Sequence, residues 1–146
     1  MNDFENEVKR LSYEFIKSLP QYLISEMDYS VKSIKSLDDF LDIGSSLYKS
    51  DGISEQNIES VVDGAGSYIL EIGRRNFGGE YLWYEERNQP ILVTGRPDFQ
   101  IGLLAYEKVR SRIINGSEDD LCFFFQGYID AINRGKDNHG YSATIV

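Results

Sequence analysis

The residues that support nucleophilic or metal chemistry are few in this sequence. His139 is the only histidine and Cys122 the only cysteine among 146 residues, and they stand far apart in the chain. A serine or cysteine nucleophile needs an oriented base, and a zinc site needs several His and Cys ligands at short spacing. We therefore expect no Ser-His-Asp hydrolase, no metal site and no cofactor. The polar, glycine-containing surroundings of His139 favour an exposed side chain, and the apolar run around Cys122 favours an inert buried thiol.

One carboxylate stands beside two arginines. Glu71 lies between the apolar residues Ile69 and Ile72, and Arg74 and Arg75 follow it three and four positions later. On a helix these positions share one face, so a Glu71–Arg75 ion pair would hold that face together. The alternative interpretation is a cleft in which Glu71, Arg74 and Arg75 bind a small ligand or act as an enzyme. The spacing favours the structural role, and an enzyme remains the alternative.

The overall charge favours some partners and disfavours others. The formal net charge is −9, from 24 acidic and 15 basic residues. Such a field repels nucleic acid and anionic membranes and attracts a basic protein. We therefore predict a protein partner and neither a nucleic-acid nor a membrane partner. The sequence does not indicate an oligomeric state.

The length of the chain predicts one domain, residues 1–146. The single cysteine predicts a reducing compartment. A single cysteine cannot form an internal disulfide, no apolar run reaches the length of a membrane span, and the acidic N-terminus does not resemble a secretory signal. The predicted location is the cytoplasm.

Apolar periodicity predicts several helices. Their expected ranges are 4–19, 36–48 with Ser36 as the N-cap, 54–77 ended by Gly78, 103–114, and 117–135 with Ser117 as the N-cap and Gly135 as the end. Gly64, Gly66 and Gly73 stand inside the longest of these helices, where each glycine costs about 1 kcal/mol relative to alanine. We interpret them as packing glycines that admit a neighbouring side chain.

Between the helices, the chain changes to strand-forming residues. Tyr81–Tyr84 and Ile91–Thr94 flank the polar segment 85–90, which predicts a β-hairpin near 80–95. Residues 99–101 are a candidate third strand, and residues 141–146 either pair as an edge strand or fray. The predicted fold class is α+β, with several helices packed against a small antiparallel sheet.

The hairpin is also the candidate contact surface. Adjacent strand residues point to opposite faces, so at least one of its aromatic side chains faces away from the main core. Aromatic side chains surrounded by charge are frequent in protein interfaces. The predicted surface consists of Glu80, Tyr81, Trp83, Tyr84, Glu85 and Glu86; the alternative is that another helix of the same domain covers this face.

The segment Gly66–Tyr81 resembles a pattern of small bacterial proteins of unassigned function. That pattern runs Gly-x-Tyr-x-Gly-Glu, then two basic residues and Asn, then Gly-Gly-x-Trp, and the later segment Val109–Gly116 is similar to its second half. Leu70 stands where the pattern has glycine, and Tyr81 where it has tryptophan. The resemblance covers about half the chain and implies a helix–hairpin–helix core and a role as an immunity partner of a bacterial toxin. It implies no catalytic residues.

Together these features predict a non-enzymatic, cytoplasmic protein-binding domain, specifically an immunity protein that neutralises a basic toxin domain. The alternative is an enzyme or a small-ligand-binding protein that uses the Glu71–Arg74–Arg75 cleft.

Overall fold

The protein combines a helical layer with one four-stranded sheet. The computed structural model describes residues 3–146. The helices in this range are α1 (Asp3–Ser18), α2 (Gln21–Ile24), α3 (Ser33–Lys49), α4 (Glu55–Phe77), α5 (Tyr106–Asn115) and α6 (Leu121–Asp137). The strands are β1 (Glu80–Tyr84), β2 (Gln89–Thr94), β3 (Gln100–Leu103) and β4 (Ser142–Ile145). The predicted α+β class is confirmed.

Helix α4 is the central element of the fold. Its N-cap is Ser54, whose hydroxyl accepts a hydrogen bond from the Asn57 amide at 3.1 Å. It ends at Gly78, where φ is +81°, a left-handed conformation that glycine adopts without strain. Between these ends, residues 64–73 are all buried, because helices and strands pack around α4 on several sides. The predicted bounds of this helix are confirmed.

The three glycines of α4 are contact points for larger side chains. A Cβ atom at Gly64 would lie 2.6 Å from Cβ of Phe15, and one at Gly73 would lie 2.8 Å from Cδ2 of Leu92. At Gly66 the added atom would lie 2.9 Å from Cε1 of Tyr106 and 3.2 Å from its Cα. Each glycine therefore admits a neighbour from α1, the sheet or α5, which confirms their interpretation as packing glycines.

Replacing Gly66 with alanine is expected to lower the free energy of unfolding by about 2 kcal/mol. The new methyl group would collide with the ring and backbone of Tyr106, and overpacking of this kind outweighs the gain in helix propensity. The matched control is Gly127→Ala in α6, where an added Cβ meets no described atom within 4 Å. That variant is expected to gain up to about 1 kcal/mol. Urea unfolding of both variants at low protein concentration measures the difference; equal stability would contradict the packing role.

The sheet has the order β1-β2-β3-β4. The hairpin pairs β1 with β2 in antiparallel register, with Leu82 opposite Ile91 and Tyr84 opposite Gln89, and this confirms the predicted hairpin. Strand β3 is antiparallel to β2, but β4 is parallel to β3. The expectation of a purely antiparallel sheet is therefore wrong for the last strand. A parallel neighbour requires a crossover connection, which α5 and α6 provide.

Several helix boundaries differ from the predicted ones. Helix α3 begins three residues before Ser36, and α5 begins at Tyr106 because Leu103 belongs to β3. The N-cap of α6 is Asp120, whose carboxylate accepts hydrogen bonds from the amides of Cys122 and Phe123. Ser117 instead begins a short 3₁₀ helix, Ser117–Asp119. Gly135 does not end α6; it is buried against Phe99 inside the helix.

The two faces of the sheet have different environments. Helices α1, α4 and α6 lie on one face, against β1, β2 and the β3–β4 pair respectively. On the other face, Leu82 and Tyr84 pack on a smaller apolar cluster formed by Ile91, Val93 and Leu104. Tyr81 and Trp83 point toward the helical layer because side chains alternate along β1. Within residues 3–146, no helix has the length and apolar character needed to cross a membrane.

Candidate functional site

The carboxylate of Glu71 is fully buried and receives hydrogen bonds from three side chains. Arg74 donates from Nε to Oε2 at 2.7 Å and from a terminal nitrogen to Oε1 at 3.1 Å. Arg75 donates from Nε to Oε1 at 3.3 Å, and the Tyr81 hydroxyl donates to Oε2 at 2.6 Å. Four donated hydrogen bonds use the acceptor capacity of both carboxylate oxygens.

These contacts hold Glu71 in its ionised form. Burial alone would raise the pKa of Glu71, but hydrogen bonds from Arg74 and Tyr81, with the charges of Arg74 and Arg75, lower that pKa below its ordinary value. A general acid or base must exchange a proton near neutral pH. Glu71 is thus held in an unsuitable state for this chemistry, and its oxygens are already occupied by donors of the protein itself.

Arg75 extends the cluster to the loop that precedes α3. Its guanidinium lies 3.6 Å from the ring centroid of Tyr29, a cation–π contact. The backbone of Tyr29 adopts φ +62° and is held by two hydrogen bonds. Its amide donates to the Tyr68 hydroxyl at 3.1 Å, and its carbonyl accepts from the Asn76 side chain at 2.8 Å. The cluster thus fastens a loop and a strand to the end of α4.

The structure brings Glu71, Arg74 and Arg75 together as the sequence predicted, and it includes the Glu71–Arg75 ion pair. Their arrangement is a closed ionic cluster rather than the wall of an open cleft. The third donor, Tyr81, was not predicted for this cluster, because the sequence does not decide which face of β1 its side chain occupies.

The hairpin residues divide between the interior and the surface. Tyr81, which the sequence assigned to the contact surface, is buried and bonded to Glu71. Trp83 lies on the same side of the strand, but near the margin of the sheet, and 41% of its surface is exposed. It stacks on Phe4 of α1, with ring centroids 5.5 Å apart and an angle of 29° between the rings. Phe4 is itself 39% exposed, so the two rings form one aromatic surface, which we call the Phe4–Trp83 pair.

The remaining predicted hairpin residues lie at the surface. Glu80 is exposed and pairs with Arg96 at 3.5 Å. Tyr84 is half-buried and donates its hydroxyl to Glu86 at 3.0 Å. Glu85 and Glu86 are exposed in the hairpin loop, and neither forms an ion pair with another residue of the described range 3–146. The loop therefore presents two uncompensated negative charges beside the strand that carries Trp83.

Most basic side chains of the described chain are already paired with carboxylates. The ion-paired ones are Lys9, Arg10, Lys35, Arg74, Arg75, Arg87, Arg96, Lys108, Arg110 and Arg112. The net charge of −9 is therefore carried by acids such as Glu85 that have no cationic neighbour. This distribution gives the hairpin loop a negative field toward solvent.

The two reactive side chains are not assembled into a site. His139 is exposed in the turn after α6, as predicted, and Cys122 is half-buried in the first turn of α6 rather than fully buried. Burial and the nearby acids Asp120 and Asp38 raise the pKa of the Cys122 thiol, which disfavours a nucleophilic thiolate. Within residues 3–146, no group of three or more His, Cys, Asp or Glu side chains is placed to hold a metal ion.

Phe4 and Phe123 are among the exposed aromatic side chains that were not predicted as surface features. Phe4 was assigned to the apolar stripe of the first helix, and only its contact with Trp83 reveals its position. Phe123 lies within an apolar run, yet 83% of its surface is exposed. The inward stripe of α6 passes through Leu121, Phe124 and Phe125, so helical periodicity already placed Phe123 outside that stripe.

No family model, curated protein or solved structure matches this chain.

Proposed function

We propose that this chain is a non-enzymatic, cytoplasmic protein-binding domain, and that it acts as an immunity protein that covers a basic domain of a bacterial toxin. The observation that carries the proposal is the Phe4–Trp83 pair, a partly exposed aromatic surface beside an acidic hairpin loop. The contact surface of this proposal consists of the Phe4–Trp83 pair with Glu80, Tyr84, Glu85 and Glu86.

The shape of the Phe4–Trp83 pair supports a role as a binding anchor. Tryptophan is enriched among the residues that contribute most to binding energy, because its large ring buries much area with little conformational freedom to lose. Stacking on Phe4 holds the Trp83 ring in one orientation before a partner arrives. A preorganised side chain loses less entropy on binding than a mobile one.

Charge supports a basic partner. Glu85 and Glu86 have no ion-pair partner in the described part of the chain, so an incoming lysine or arginine would not need to displace one. Opposite potentials accelerate association and favour the correct partner over acidic proteins. The catalytic domains of toxins that cleave nucleic acid are basic by the same logic, because their substrate is anionic. An acidic, aromatic surface is suited to cover such a domain.

Replacing Trp83 with alanine is expected to weaken binding to a basic toxin domain encoded beside this chain by about thirtyfold, or roughly 2 kcal/mol. Isothermal titration calorimetry with the purified toxin domain measures the change. Tyr22→Ala is the matched control, because Tyr22 is also a largely exposed aromatic residue and lies outside the proposed surface. Its affinity is expected to equal that of the wild type.

The same titration at 0.05 and 0.5 M salt tests the electrostatic part of the proposal. Screening of Glu85 and Glu86 is expected to weaken binding by about tenfold. Equal effects of the Trp83 and Tyr22 substitutions would exclude the Phe4–Trp83 pair as the anchor. No detectable binding of the toxin domain at any salt concentration would overturn the proposed function itself.

A further inference from the structure

The connection between α5 and α6 begins with the pair Asn115-Gly116. Asn115 is the one asparagine of the sequence that glycine follows. The side-chain amide of an asparagine can react with the backbone nitrogen of the next residue, and glycine hinders this reaction least because it has no Cβ and a freely adaptable backbone. Asn115 is therefore the asparagine of this chain that is chemically most able to modify itself.

The reaction is a deamidation that needs no second protein. The backbone nitrogen of Gly116 forms a bond with Cγ of Asn115, and the bond between Cγ and the side-chain nitrogen breaks. That nitrogen leaves as ammonia, which carries away the proton that the Gly116 nitrogen gave up to solvent base. Water then opens the five-membered imide at one of its two carbonyl groups and leaves aspartate or isoaspartate at position 115. Solvent water is the co-reactant, and nothing is oxidised or reduced.

The folded protein restrains both reacting groups. The buried Gly116 amide donates to the Arg112 carbonyl at 3.1 Å, so its proton is withheld from solvent base. The side-chain nitrogen of Asn115 donates to Oδ2 of Asp119 at 2.9 Å. Asn115 is also the last residue of α5, and its helical backbone must change before the five-membered ring can close. Ring closure thus requires the end of α5 to open.

Asp119 anchors this closed arrangement. It is the last residue of the 3₁₀ helix Ser117–Asp119, and its amide donates to the Gly116 carbonyl at 3.2 Å. Its Oδ1 accepts a hydrogen bond from Lys108 of α5 at 2.9 Å, while Oδ2 accepts the one from Asn115. The contacts with Asn115 and Lys108 lower the pKa of Asp119, so its carboxylate stays ionised at neutral pH. The Asn115 side chain is therefore bound to a fixed anionic acceptor.

We propose that Asn115 is a self-modification site, which deamidates when the turn between α5 and the 3₁₀ helix opens and is unreactive while that turn is closed. Helix ends open far more often than the whole domain unfolds, so the reaction proceeds slowly from the native protein. The product has a carboxylate where Asn115 had an amide donor, opposite the ionised Asp119 and at the negative end of the α5 dipole. Each modification therefore disfavours reclosure of the turn.

Peptide mass spectrometry of the full chain, incubated at mildly alkaline pH, tests this inference. The peptide that contains Asn115 should gain about 1 Da, the difference between an amide and a carboxyl group. The gain should be at least about tenfold slower in buffer than in concentrated guanidinium chloride, because the native turn must first open. Equal rates in the two solutions would overturn the role of the turn. No gain in either solution would overturn the site itself.

Two substitutions in the 3₁₀ helix test the restraining hydrogen bond. Asp119→Ala removes the acceptor of the Asn115 side chain and should speed deamidation of the folded protein by about fivefold. Glu118→Ala is the matched control, because Glu118 is the neighbouring exposed acid and its carboxylate is not the acceptor of Asn115. Its rate should equal that of the wild type. Equal rates for the two variants would show that the Asn115–Asp119 contact does not restrain the reaction.

A further variant tests the consequence of the modification. Asn115→Asp carries the charge of the product from the start, so its unfolding midpoint in urea should lie below that of the wild type. Asn88→Asp adds the same charge in the exposed hairpin loop and should leave the midpoint unchanged. Equal midpoints for the two variants would overturn the predicted effect on reclosure. None of these results bears on binding through the Phe4–Trp83 pair.

Discussion

Replacing Glu71 with glutamine is expected to lower the free energy of unfolding by about 3 kcal/mol, the lower end for breaking a buried ion pair. Glutamine keeps the shape of the side chain, but it has one acceptor oxygen in place of two and turns an amide donor toward the arginines. The Tyr81 hydroxyl then competes with Arg74 for the remaining oxygen. Because Arg74 and Arg75 are partly exposed, they regain water contacts, which keeps the loss below the upper end of the range.

The double variant Glu71→Gln with Tyr81→Phe isolates the part of the loss that arises from the buried hydroxyl. Tyr81→Phe removes the hydroxyl. It is expected to lower the free energy of unfolding by about 1 kcal/mol less in the Glu71→Gln background than in the wild type. Urea unfolding of the four proteins measures this coupling. Glu85→Gln is the matched control, since the same atoms change in an exposed side chain that forms no ion pair within residues 3–146, and its effect should stay within about 0.5 kcal/mol.

The same cluster predicts part of the pH dependence of stability. The pKa of Glu71 is lower in the folded protein than its ordinary value of 4.5. Its ionised form therefore contributes stability that is complete above that value and is lost as the pH falls through the lower, folded pKa. The glutamine variant lacks this contribution, so its stability should change less than that of the wild type in the acid range. An unchanged acid profile would show that Glu71 is not the group being titrated.

Binding measurements on the same variant separate the structural interpretation from the alternative cleft. If Glu71→Gln unfolds like the wild type but loses an activity or the affinity for a small ligand, then the Glu71 cluster is a functional site. A loss of stability with unchanged binding of the toxin domain is the outcome that our interpretation requires.

The features that could be predicted from sequence are those with local causes. Helix α4 was predicted from its Ser54 cap, its apolar period and the glycine at its end, all of which act within a few residues. The hairpin was predicted from two runs of strand-forming residues around a polar loop. The Glu71–Arg75 pair followed from the geometry of one helical turn.

The features that the sequence did not reveal depend on contacts between distant segments. Residues 142–145 form β4 because β3 offers a free edge after α5 and α6 return the chain, and nothing in the polar tail itself indicates parallel pairing. Tyr81 and Leu82 are both apolar, so composition does not decide which of them faces α4. In the structure Tyr81 faces α4. It therefore donates to Glu71 and does not belong to the contact surface.

A buried ion pair between α3 and α5 is the clearest such case, since 74 positions separate its members. Arg112 is 2% exposed and donates from Nε to Asp38 at 2.9 Å and from a terminal nitrogen to Asp42 at 3.0 Å. Asp38 also accepts a hydrogen bond from the Leu121 amide at 3.1 Å. The Arg112–Asp38 pair thus joins α3, α5 and the start of α6, a role that no local spacing in the sequence indicates.

Replacing Arg112 with methionine is expected to lower the free energy of unfolding by about 4 kcal/mol, the largest single effect we predict. Methionine fills the space of the arginine stem but leaves the carboxylate of Asp38 buried with the Leu121 amide as its remaining donor among these contacts. Arg110→Met is the matched control in the same helix. Arg110 pairs with Glu59 near the surface, so its loss should cost less than about 1 kcal/mol.

A second substitution identifies the unpaired carboxylate as the cause. Asp38→Asn removes the buried charge, yet its amide oxygen can still accept the Leu121 hydrogen bond. Adding it to Arg112→Met should therefore restore about half of the lost stability, although Asp38→Asn alone is destabilising. If the double variant is less stable than Arg112→Met, then the loss comes from packing around the arginine stem and not from the stranded charge. Urea unfolding of the single and double variants, with Arg110→Met beside them, measures the outcome.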